Sequence, residues 1–79
     1  SDPIIEDLEV SLVALREEAE SLSDRLETRK VIDRAKGRLQ DNHGLSEQAA
    51  FRFIQQTAMS RRTSMKQISQ AVLDGELTP

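Results

Sequence analysis

At 79 residues and a net charge of −3, the chain has room for one small domain. It has no Cys, Trp or Tyr and a single His, which removes disulfides, thiolate metal sites and His-built metal clusters, and argues against a β-sandwich or a base-stacking sheet. No apolar run approaches the roughly 18 residues of a membrane span and no signal peptide is visible, so a cytoplasmic protein without membrane attachment or cofactor is expected.

A core this small is marginal, and packing against another chain is an expected source of extra stability. The abundance of Leu, Ala, Glu, Arg and Gln favours helices. Asp2 and Pro3 suit a helix start, as cap and first helical residue. A heptad follows without a break. Ile5, Leu12, Ala19 and Leu26 occupy one repeat position, and Leu8, Leu15 and Leu22 the other. A lone helix with this seam leaves leucines in water, so the seam is expected to meet another helix, from a second copy or from the same chain. Ala19 narrows it locally. Arg25 and Lys30 would face each other with like charge in a parallel pair, so the orientation of the pair stays open.

The next seam positions are Arg29 and Asp33, where the apolar repeat stops. The apolar set moves to Ile32, Ala35 and Leu39, still at helical spacing on a rotated face. One continuous helix is predicted from about Pro3 to about Asn42, changing partners near Thr28 and ending at the left-handed cap Gly44. Ser46 caps a second helix, with Glu47 well placed for its dipole. Ala50, Phe51, Ile54 and Ala58 are read as its inner face, with Phe53 and Thr57 beside it, up to about Ser60. Ser64 and Gln67 form a capping-box pattern for a third helix, with Met65, Ile68 and Val72 on its buried side. Asp74 and Gly75 end it, and the last four residues are expected to fray.

Charge divides the chain. Residues 1–28 carry nine acids against two bases, and residues 29–79 carry nine bases against five acids. Such asymmetry points to a polyanionic partner for the basic half, with a plain solvated surface as the alternative. Nothing supports catalysis. Glu17 and Glu18 lie on an exposed rod, His43 sits in a helix-ending turn, Ser46 and Ser64 are caps, and no Gly-rich phosphate loop is present. Gly37, inside a helix, costs on the order of 1 kcal/mol against Ala, so a close approach to its backbone is expected, by a packed helix or by a ligand. Arg34 and Arg38 share a helix face, continued by Lys30, while Lys36 lies on a different side. Arg61 and Arg62 precede the third helix, and Lys66 falls in its first turn, where a cation opposes the dipole. Together with Thr63 and Ser64 they make a reasonable phosphate site.

Taken together, Ala35-Lys36-Gly37 with Leu39, His43-Gly44, Ser46-Glu47, Ala50-Phe51, Ile54, Ala58-Met59, Arg62, Met65, Ile68 and Val72 resemble the ANTAR domain. This is the RNA-binding module of bacterial transcription antitermination regulators. The resemblance covers roughly residues 29–73, and the leucine heptad looks like the coiled coil that precedes the domain in two-component members. It implies a dimeric helical bundle that binds paired RNA stem-loops and keeps a terminator hairpin from forming. Many members carry an upstream receiver domain. This chain has no room for one, so it is expected to be a fragment of a longer regulator or a stand-alone relative, with a receiver domain or a histidine kinase as partner. Gln40 stands where the family often has an apolar residue, and Ser69 where it usually has Ala; both are read as changes at the bundle surface.

The expected architecture is all-α, a long N-terminal coiled-coil helix running into a three-helix ANTAR-type bundle. Residues 1–28 form the dimerisation helix, with a seam of Ile5, Leu8, Leu12, Leu15, Leu22 and Leu26. Residues 29–75 form the RNA-binding module and 76–79 a tail. Arg34, Lys36, Arg38, Arg62, Thr63, Ser64 and Lys66 are the candidate contacts to RNA stem-loops, with a homodimer as the binding form. The rival reading is a dimeric protein-interaction module, favoured by the acidic rod; a DNA-binding helix-turn-helix is a third.

Overall fold

A computed structural model describes residues 2–79. Ser1, the first residue of the expected rod, lies outside the described residues. Three helices follow in order: α1 from Pro3–His43, α2 from Glu47–Arg61 and α3 from Met65–Leu73. The molecule measures 61 × 22 × 21 Å. The long dimension is that of α1 itself, because 41 residues at about 1.5 Å each reach that far.

Local chemistry accounts for the helix ends. The Asp2 carboxylate accepts from the Ile4 N–H at 2.9 Å, and Pro3 follows where no N–H is needed. At the far end Gly44 takes φ +66° and donates its N–H to the Gln40 carbonyl, a left-handed closure that a side chain would strain. Ser46 Oγ caps α2 by accepting from the Ala49 N–H at 3.0 Å. Ser64 Oγ does the same for α3 with the Gln67 N–H. The reciprocal half of the expected capping box is absent, because the Gln67 side chain accepts from the Thr63 hydroxyl instead.

The three helices pack pairwise, with the most extensive contact between α1 and α3. Their shared core is Ala35, Leu39, Ala50, Ile54, Ala58, Ile68 and Val72, flanked by half-buried Ile32, Leu45, Phe53, Met65, Leu73 and Leu77. Val31 is also buried, ahead of the expected Ile32. On α2 the inward set is Ala50, Phe53, Ile54, Thr57 and Ala58. That is the i, i+3, i+4, i+7, i+8 stripe of a helix packed on two neighbours. Phe51, expected on the inner face, falls outside this stripe and is 39 % exposed. Ser69 is another correction. It is fully buried in α3 rather than at the bundle surface, and its Oγ has no hydrogen-bond partner. The expected fraying of the last four residues is not seen at Leu77, which packs on the core after a turn in which Glu76 donates to the Ala71 carbonyl. At Gly37 the packed-helix alternative fails. No atom beyond its own helix lies within 4 Å of where its Cβ would stand, so no helix of this chain approaches it closely.

Residues 3–27 of α1 are exposed on every side, and Thr28 is the first residue shielded by the bundle. At about 100° per residue, the seam from Ile5 to Leu26 lies on the order of half a turn away from Val31, Ala35 and Leu39. The seam therefore faces away from α2 and α3, and a fold-back of this chain's own helices onto it does not occur. No helix among the described residues is long and apolar enough to cross a membrane.

Candidate nucleic-acid interface

The cations of the bundle are held in three different ways. Lys36 leaves α1 toward the start of α2, where its Nζ donates to Glu47 Oε1 at 3.1 Å and lies 3.6 Å from Asp33 Oδ1. Its side chain is only 17 % exposed. These are the only two ion pairs among the described residues, and both belong to Lys36. Glu47 also sits in the first turn of α2, where a carboxylate complements the helix dipole. Lys36 thus fastens α1 to α2, with part of its charge already balanced.

Arg38 leaves the other flank of α1. Its Nη1 donates to the Leu73 carbonyl at 3.2 Å, satisfying one of the carbonyls left open at the end of α3. Arg34, one turn earlier, lines a cleft with Glu27, Val31, Gln70 and Asp74. Sequence spacing places Arg34 and Arg38 on one face, and the structure sets both beside the end of α3. Lys36 lies on the opposite flank.

The third group surrounds the α2–α3 turn. Arg62 is the C-cap of α2 and adopts φ 54°, ψ 47°, the one positive φ among the described non-glycine residues. Its N–H reaches the carbonyls of Ala58 and Met59, and the Thr63 N–H closes onto Ala58 as well. A left-handed conformation costs a residue with a Cβ roughly 1–2 kcal/mol, and glycine is the usual occupant. Here the position presents an exposed guanidinium beside exposed Arg61, the Ser64 cap and half-buried Lys66. No carboxylate lies within 4.0 Å of Arg61, Arg62 or Lys66 among the described residues. Uncompensated positive charge therefore gathers where the first N–H groups of α3 point outward.

The expected contact residues are thus spread over two flanks of α1 and one turn. Sequence reasoning missed the surroundings of Phe51. That ring stands between α1 and α2 with the Lys36 ammonium over it, 5.9 Å from the centroid. Arg25 and Arg29 border the same cleft from α1, and Arg52 a neighbouring one from α2. The spacing permits either Phe inward; once Ala50, Phe53, Ile54, Thr57 and Ala58 face the core, Phe51 falls at the edge. No group of three or more His, Cys, Asp or Glu residues that could hold a metal occurs among the described residues.

Comparison with known proteins matches residues 20–73 to the model of the ANTAR domain. The chain is 52 % identical over 68 residues to the transcriptional regulatory protein PdtaR of Mycobacterium tuberculosis, in both strain CDC 1551 / Oshkosh and strain ATCC 25618 / H37Rv. The aligned stretch is 86 % of this chain and 33 % of each relative, so the chain spans about a third of the length of the curated relatives it matches.

Proposed function

The chain belongs to the ANTAR domain family, and from that premise we propose that it is an RNA-binding transcription antitermination regulator. It dimerises through the leucine seam and binds paired RNA stem-loops, which keeps a terminator hairpin from forming. The observation that carries the reading is the family match across the rod end and the bundle. The cluster of unpaired cations at the α2–α3 turn supports it. Stem-loop RNA is recognised through shape, phosphates and splayed loop bases, and such a target suits Arg, Lys and hydroxyl groups on a helix start.

Arg62 is the leading contact. It stays exposed in a backbone conformation that glycine tolerates better, an arrangement that makes sense when the guanidinium is needed outside. Thr63, Ser64 and Lys66 extend the same surface. Arg34 and Arg38 offer a second patch beside the end of α3. Lys36 contributes by fixing the start of α2 more than by offering free charge. An upstream receiver domain or a partner histidine kinase belongs to the same proposal.

The test is a gel shift with a two-stem-loop RNA at two salt concentrations. Wild-type binding should weaken steeply with salt. Arg62→Ala should lose roughly tenfold in affinity and reduce the salt slope by about one. Absence of salt-sensitive RNA binding would favour the protein-interaction module instead, and preference for duplex DNA in competition would favour the helix-turn-helix reading.

A further inference from the structure

Phe51 poses a problem that neither the fold nor the proposed contacts resolve. It is a large apolar side chain in the first turns of α2, 39 % exposed, while Phe53 two residues later packs on the core. One side of its ring is met by the Lys36 ammonium at 5.9 Å. The ring walls two adjoining clefts. The first, about 260 Å³, is lined with Arg25, Thr28, Arg29, Ile32, Asp33 and Lys36. The second, about 320 Å³, is lined with Lys36, Glu47, Gln48, Arg52 and Gln55.

The charges around the ring are the telling feature. The acids nearby, Asp33 and Glu47, are both engaged by Lys36. Arg29 and Arg52 have no carboxylate within 4.0 Å among the described residues, and Arg25 reaches back only to Ser21 at 3.4 Å. A wholly apolar partner fits poorly, because it would desolvate guanidinium groups that have no carboxylate beside them. A planar ligand on an anionic backbone fits well. An unpaired base can lie on the ring while its phosphates meet the guanidinium groups. The amides of Gln48 and Gln55 each offer donors and acceptors for a base edge.

We propose that Phe51 is a stacking platform for one unpaired loop base of the hairpin RNA, with Arg25, Arg29 and Arg52 holding the flanking phosphates. The proposal rests on the RNA-binding reading and deepens it. It adds a base site roughly 16 Å along α2 from Arg62, a separation of several nucleotides.

Because the chain has no Trp or Tyr, Phe51→Trp in the full chain creates a single fluorescent reporter at the platform. Titration with the two-stem-loop RNA should quench its emission at near wild-type affinity. Substituting 2-aminopurine through the loop should single out one position whose emission responds to the ring. Phe51→Leu, which keeps an apolar side chain, should lose about five- to a hundredfold in affinity with an unchanged melting temperature. Two results would overturn the platform and leave RNA binding intact. One is an RNA complex with unaltered emission and a Phe51→Leu variant of wild-type affinity. The other is emission that follows protein concentration and ignores RNA, which would place the dimer partner over the ring. If the wild-type chain fails to bind hairpin RNA, the broader reading falls and the platform with it.

Discussion

Leu22 and Leu39 occupy the same unbroken helix, yet Leu22 is 50 % exposed and Leu39 1 %. The contrast runs through the whole molecule. Before Thr28, six leucine and isoleucine seam residues are each at least 50 % exposed, and Val10 and Val13 add apolar surface on another side. After it, the apolar side chains from Val31 to Leu77 are mostly covered by the chain's own helices. The bundle supplies its own apolar environment, whereas the rod needs one from outside. Helix propensity alone does not hold a long helix firmly in water, so the stability of the rod belongs to whatever covers its seam.

This division can be broken from either side. The largest effect is expected from Leu15→Asp, which, if the seam joins two chains, replaces an apolar residue with a charge in both copies. Each buried Leu contributes about 1.5–3 kcal/mol, so association should weaken by on the order of a thousandfold or more. Sedimentation would then show monomer, and a circular dichroism melt would show lost helix in the rod. A mass distribution unmoved by the change would mean that this seam does not join two chains. Ile54→Ala acts on the other region. Ile54 is fully buried, and truncation there should cost roughly 2–5 kcal/mol. Hydrogen exchange should accelerate across α2 and α3 while the dimer persists; loss of the dimer as well would show that the two regions fold as one unit.

Smaller changes sharpen the picture within the bundle. Ser69→Ala removes a buried hydroxyl that has no partner and should stabilise by about 1 kcal/mol, a rise of several degrees in melting temperature. No rise would mean that the hydroxyl is satisfied in solution. Arg62→Gly relieves a left-handed conformation but loosens the unfolded chain. The balance should be a gain of about 0.5–1 kcal/mol. Affinity for RNA should fall in the same variant, and a variant more stable with undiminished binding would remove Arg62 from the interface.

What could be read from the residues beforehand follows the range of the physics involved. Asp2, Gly44, Ser46 and Ser64 act on backbone groups within four residues, so the helix ends were legible. The seam was legible because its 3-4 spacing repeats over three heptads. The short helices were harder. Two Phe residues two positions apart permit two inward faces, and only the packing of α2 on both neighbours chooses Phe53. The burial of Ser69, the return of Leu77 and the use of Lys36 on Glu47 depend on tertiary contact. At the candidate site, the cations themselves were plain in the sequence. Which of them already had partners was not, since Arg38 meets a carbonyl 35 residues away.

One property of α1 reaches beyond both regions. No glycine, proline or loop interrupts it between the seam and the bundle core, and Gly37, farther on between Ala35 and Leu39, stays helical. The helix is therefore a shaft, and the orientation of the bundle relative to the seam is stored as a phase angle. One alanine inserted after Glu27 should turn the bundle by about 100° and shift it by about 1.5 Å, leaving the seam and the core intact but carrying Arg25 away from the Phe51 cleft and Glu27 away from Arg34. Seven inserted residues should return it to within about 20°. In a dimer each such turn is made twice. If each bundle of such a dimer holds one stem-loop, the angle between the two stem-loops is set by residue count along the helix.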